Sequence, residues 1–101
     1  MIYVVVMVRV KEGRAKEFID MFKTAAIKVR REKGCIQYIP AVDAPNAPPE
    51  SVDKNVVTVL ERWESAEALG AHLATPHMKE FFEKQKEVVD GPPIMKVLQE
   101  A

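Results

Sequence analysis

Four side chains able to move a proton or wall an aromatic ring, Glu61, Trp63, His72 and His77, lie close together between Val56 and Phe82. Imidazole titrates near neutral pH, so His72, three residues after Leu69 and next to Leu73, offers a base or a hydrogen-bond donor at a pocket wall. The alternative is a core histidine bonded to a backbone carbonyl. His77 falls where a helix restarts, and a helix N-terminus favours the neutral ring; plain exposure explains it equally well. Glu61 shares a strand face with Val57, Val59 and Trp63, where a carboxylate is costly to bury without a cation or hydrogen bonds. A tilt outward toward an Arg or Lys is the simpler reading. Trp63 needs a partner for its indole N–H if buried, and its flat face suits an aromatic ligand as well as a core.

Tyr38 adds a second aromatic wall carrying a phenol, while Met7, Met78, Phe81 and Phe82 read as core. The two histidines are five residues apart across a proline. The four-residue spacing that sets two metal ligands on one helical face is therefore missing, and no third ligand presents itself. The single cysteine, Cys35, cannot form an internal disulfide and reads as a small buried hydrophobe. There is no nucleotide-binding glycine loop, nucleophile elbow or glycosidase-like acid pair.

The elements that must hold these residues follow from periodicity. Ile2 to Val10 is β-branched and nearly all apolar, which predicts a strand buried on both faces. Ala15, Phe18, Ile19, Phe22, Ala26 and Val29 recur at the spacing of one helical face, and Gly34 is a left-handed stop. The cluster Lys28, Arg30, Arg31 and Lys33 complements the helix dipole. Cys35 to Val42 predicts a second strand, with Ile36 and Tyr38 on one face; Pro40 makes it an edge strand or a bulged one. The proline-rich segment from Asp43 to Asn55 reads as a surface loop, the natural place for a lid. Val56 to Trp63 is the third strand. Ser65 caps the next helix, Thr75-Pro76 restarts it with a bend, and the inward stripe of Met78, Phe81, Phe82, Gln85 and Val89 runs until Asp90-Gly91-Pro92-Pro93. Ile94 to Leu98 is a short closing strand.

The order β-α-β-β-α-β predicts one α+β domain over residues 1–101, a ferredoxin-like fold with both helices on one side of a four-stranded antiparallel sheet. Two helices cover one face only, so a first strand buried on both faces implies that the open face packs on a second copy, giving a homodimer. The 15 basic and 15 acidic residues cancel, with no basic stripe for nucleic acid. The longest apolar run, Ile2 to Val8, is too short to span a bilayer and lacks signal-peptide flanks. A cytoplasmic protein without membrane insertion is the expectation.

Along ERWESAEALGAHLATPHMKEF, residues 61–81, the chain resembles the antibiotic-biosynthesis monooxygenase domain, and within it the small quinol monooxygenases. The resemblance rests on Glu61, Trp63, Glu64 and Ser65 in an acidic-x-Trp-Glu-Ser turn, then on His72, Leu73, Thr75, Pro76, His77 and Met78. It extends to Lys33-Gly34-Cys35, Tyr38, Pro40, Val42-Asp43 and Leu98-Gln99. It implies a dimeric α/β barrel that oxygenates quinols or related phenols with molecular oxygen and no cofactor, neither metal nor flavin. Under it His72 is the base, Trp63, Tyr38, Phe81 and Phe82 line the pocket with His77 nearby, and Glu61 orients the substrate hydroxyl or a partner group. The haem-degrading branch is not matched: the first strand has no Asn, and His72 and Phe82 stand where that branch places a Trp and a His. A branch that isomerises a phosphorylated signalling sugar shares the Thr-Pro-His turn, and a non-catalytic dimer that binds small aromatics is the third reading.

Overall fold

A computed structural model describes residues 1–101. Four strands, β1 (Ile2–Arg9), β2 (Cys35–Ala41), β3 (Val56–Trp63) and β4 (Ile94–Leu98), form one antiparallel sheet in the order β2-β3-β1-β4. Three helices, α1 (Ala15–Val29), α2 (Ala66–Leu73) and α3 (Pro76–Gln85), complete the ferredoxin-like arrangement. No helix is long and apolar enough to cross a membrane.

The helices bury their periodic faces. In α1 these are Phe18, Phe22, Ala26 and Val29, which meet Val4, Val8, Val57 and Val59 from the sheet. The Ser65 hydroxyl accepts the Ala68 N–H at 3.1 Å and starts α2. The Thr75 hydroxyl accepts the Met78 N–H at 3.3 Å, and Pro76 occupies the first turn of α3 where its missing N–H costs nothing. The predicted bend at Thr75 is thus a full break between two helices.

Within the single chain β1 is buried on one face: Val4 and Val8 point to the helices, while Tyr3 and Met7, on the face expected to meet a second copy, are 38% and 46% exposed. The second face lies open because nothing in the single chain covers it. Other expectations are corrected. In β2, Cys35 opposes Trp63 and Gln37 opposes Arg62, so Ile36 is the extra residue of a bulge. The bulge breaks the alternation, turning Tyr38 inward and leaving Ile36 exposed on a different side. β2 is the predicted edge strand. α3 stops at Gln85, earlier than Asp90, because Val88 and Val89 leave the helix to pair with Lys11 and Val10. Gly34 has φ +85°, and a Cβ there would stand 2.6 Å from the Ala68 Cβ. The turn from α1 to β2 therefore presses directly on α2.

Candidate active site

Between the sheet and the helices lies a cavity of about 160 Å³. Its walls include Tyr38 of β2, Glu61 of β3, His72 of α2, and Met78, Phe81 and Phe82 of α3. No Lys or Arg reaches it; Glu61, His72, Gln85 and the Tyr38 hydroxyl supply its polar groups.

His72 is buried, and its Nδ1 lies 3.1 Å from each carboxylate oxygen of Glu32. A carboxylate only accepts, so Nδ1 carries the proton and Nε2, which has no partner in the chain, keeps its lone pair. Burial pushes the imidazole below its ordinary pKa, opposed by the Glu32 hydrogen bond and charge, which pull upward. The net result is a neutral ring at pH 7. Trp63 tilts against it, ring centroids 4.6 Å apart.

Glu61 turns inward, the residue being 6% exposed and its Oε1 accepting the Trp63 indole N–H at 2.8 Å. An outward tilt toward a cation is excluded, because β3 is central and the inner face of the sheet is covered. Burial pushes its carboxyl above the usual range, partly offset by the Trp63 bond and reinforced by the charge of Glu32. Tyr38 stacks on Phe22 at 4.7 Å and meets His72 edge-on at 5.4 Å. Its hydroxyl has a long contact to the Met78 sulfur, 3.9 Å, and burial raises its pKa, so it stays a phenol and a donor. No three His, Cys, Asp or Glu side chains gather as a metal-ligand set. The cavity is thus mostly apolar, with the few polar groups of His72, Tyr38, Glu61 and Gln85 set among Val6, Val8, Phe18, Phe22 and Phe81.

The model of the family "antibiotic biosynthesis monooxygenase" matches residues 1–84 of the 101. The chain belongs to this family. A relative named "probable quinol monooxygenase YgiN", from Escherichia coli, is 35% identical over 89 residues, covering 85% of this chain and 86% of its own. A conserved protein of Methanosarcina mazei superposes with a TM-score of 0.79 at 28% identity, covering 99% of this chain and 92% of that one. A crystal structure described as an antibiotic biosynthesis monooxygenase superposes at 0.82 over 100% and 99% of the two chains; at 19% identity it shows the shared fold alone.

Within this family member, Tyr38, Glu61, His72, Phe81 and Phe82 all border the cavity. Trp63 and His77 do not line it. Trp63 is fully enclosed behind Glu61 and His72, a support for both rather than a wall. His77 opens on a separate groove of about 250 Å³ between α1 and α3, beside Lys28, Glu80 and Lys84. Its Nε2 sits 2.7 Å from the second oxygen of Glu32. The partner of His72 is this carboxylate rather than a backbone carbonyl. Glu32 escaped the sequence reading because it stands inside the basic cluster after α1 and lies 40 residues from His72. The loop over residues 43–55 sends no side chain to the cavity, which removes the reason to make it a lid; Asp43 ties it to itself by accepting the Asp53 N–H at 2.8 Å.

Proposed function

We propose that the chain is a cofactor-independent monooxygenase that oxidises a small quinol with molecular oxygen, working as a homodimer. The observation that carries this is the cavity: apolar, free of cations, and faced by a neutral His72. Its volume of about 160 Å³ is close to that of an engineered apolar cavity, about 150 Å³, that takes up benzene. The size favours one substituted ring over a polycyclic phenol. A phosphorylated sugar would need cations that these walls lack.

In this reading His72 Nε2 takes a proton from a quinol hydroxyl, and the Tyr38 hydroxyl donates to the second ring oxygen. The resulting phenolate is electron-rich enough to pass electrons to oxygen itself, and the apolar walls keep water from the intermediates. One oxygen atom enters a ring C–H bond and the other leaves as water. The ring supplies all four electrons: two convert quinol to quinone and two convert C–H to C–OH. The products are a hydroxyquinone and water, and His72 returns its proton to the departing oxygen. The name of the Escherichia coli relative, probable quinol monooxygenase, supports the substrate class.

A second copy would cover the open face of the sheet, where Tyr3, Met7, Ile39 and Leu98 are exposed together on neighbouring strands. The decisive experiment is anaerobic addition of reduced benzoquinones and naphthoquinones to the purified protein, followed by labelled oxygen and mass analysis. One labelled atom in the product and one in water are expected. Tight quinol binding with no oxygen uptake would instead make the chain a non-catalytic binder.

A further inference from the structure

Glu32, His72 and His77 form one hydrogen-bonded unit drawn from three elements. Glu32 is pinned in the turn after α1: its N–H donates to the Val29 carbonyl at 3.0 Å, and its own carbonyl accepts the Cys35 N–H at 3.2 Å. The His72 carbonyl accepts from the Thr75 hydroxyl at 2.9 Å and from the Thr75 N–H at 3.2 Å. Thr75 also caps the helix that carries His77, so the two histidines are held in fixed relation. The first turn of α3 has no acidic residue of its own, and Glu32 brings its carboxylate there, where the helix dipole favours negative charge.

The chemistry of the three groups fixes their protons. One carboxylate faces two ring nitrogens and can only accept, so both nitrogens are donors: Nδ1 of His72 and Nε2 of His77. With Nδ1 protonated, a neutral His72 keeps its lone pair on Nε2. Without Glu32 no group in the chain faces Nδ1, and the ring could present an N–H to the cavity, where a base is needed. Glu32 is 12% exposed and His77 22%, so the unit runs from the cavity beside His72 to the outer groove.

We propose that Glu32 and His77 are positioning residues for the chemistry of the cavity, Glu32 holding His72 as the Nδ1–H tautomer and His77 anchoring Glu32 from the outer groove. The proposal rests on the quinol reading for its turnover arm only. The other titratable or charged groups packed around the unit are Tyr38 from β2 and Glu61 from β3 on the His72 side, Lys28 from α1 with Glu80 and Lys84 from α3 on the His77 side, and Cys35 beyond the turn. None of them hydrogen-bonds to His72 Nδ1 or to His77 Nε2.

Long-range proton–nitrogen correlation spectra of the nitrogen-labelled protein distinguish the two neutral tautomers directly and need no substrate. His72 is expected as Nδ1–H and His77 as Nε2–H. Both carboxylate oxygens of Glu32 lie 3.1 Å from His72 Nδ1, so in Glu32→Gln either orientation of the amide sets an N–H2 donor against that nitrogen, and the variant is expected to mix or invert the His72 tautomer. Quinol turnover should then fall by about 100-fold or more, the lower range of what a positioned base contributes, with KM little changed. His77→Gln keeps an N–H toward Glu32 and should preserve the His72 spectrum, whereas His77→Leu should not; this pair carries the comparison if Glu32→Gln does not fold. A wild-type His72 in the Nε2–H form, or a spectrum unmoved by both Glu32→Gln and His77→Leu, overturns the proposal. If the tautomers are as expected and no quinol takes up oxygen, the functional reading falls and the positioning role stands; normal uptake with the wrong tautomer gives the reverse.

Discussion

The indole N–H of Trp63 donates to Glu61 at 2.8 Å, two residues away on the same face of β3, and both side chains are enclosed. The sheet thereby supplies a donor to a carboxyl that burial would otherwise leave costly to ionise. Because the folded carboxyl titrates above its unfolded value of 4.5, its contribution to stability is complete below that pH and is lost as pH rises through the folded value. Trp63→Phe removes the bond to the ionised form and raises the folded value further. The variant should lose about 1–3 kcal/mol, more at pH 8 than at pH 4, in urea unfolding followed across pH. A loss of equal size at every pH would show that only the volume of the indole matters.

His72 behaves in the opposite sense. Burial holds its pKa below 6.5, so its stabilising contribution is complete above that value and is lost as pH falls through the folded one. The acid limb of kcat/KM should report the same group, with an apparent pKa below 6.5. His72→Asn retains an N–H for Glu32 but has no basic nitrogen. Quinol turnover is expected to drop by about 10²–10⁴-fold while unfolding free energy changes by about 1 kcal/mol. Full turnover in this variant would remove His72 from the chemistry.

Gly34 positions the turn that carries Glu32. With φ +85°, an Ala there costs about 1–2 kcal/mol in backbone strain, and its Cβ would meet Ala68 at 2.6 Å. Gly34→Ala should therefore destabilise by roughly 2 kcal/mol or more, and adding Ala68→Gly should recover the contact cost but not the strain. Thermal unfolding of the two variants separates the two parts. Equal stability of single and double variants would mean that the turn and α2 move apart freely.

The parts of this molecule written in local spacing are those a reader of the sequence can find. Phe18, Phe22, Ala26 and Val29 repeat at helical intervals, Ser65 and Thr75 are caps, and Glu61 and Trp63 share a strand face, so the order of elements and the inward turn of His72 follow from neighbours. Glu32 does not: its role depends on two residues 40 and 45 positions away, and its immediate neighbours are basic residues that a helix end explains by itself. Ile36 and Tyr38 look alike in an alternating strand, and only pairing with β3 shows the bulge that separates them. Trp63 has the right chemistry for a wall, yet the bond to Glu61 and the packing on His72 place it one layer behind.

The open sheet face gives a test of assembly that leaves the cavity intact. β1 is an inner strand of the sheet, and its outward residues Tyr3 and Met7 stand beside Leu98 and Ile94 of β4. In the proposed dimer a second copy covers this face, which also carries Arg62 of β3 and Lys96 of β4 toward its middle. Met7 is 46% exposed in the single chain, so Met7→Lys leaves the fold and its far-ultraviolet signature unchanged, while burying the new ammonium against a second copy would be costly. Sedimentation equilibrium should give the wild type twice the chain mass and the variant one chain mass, with the dimer weakened by at least about 100-fold, roughly 3 kcal/mol. A monomeric wild type would leave this face to some other partner, and a dimeric variant would move the interface elsewhere on the molecule.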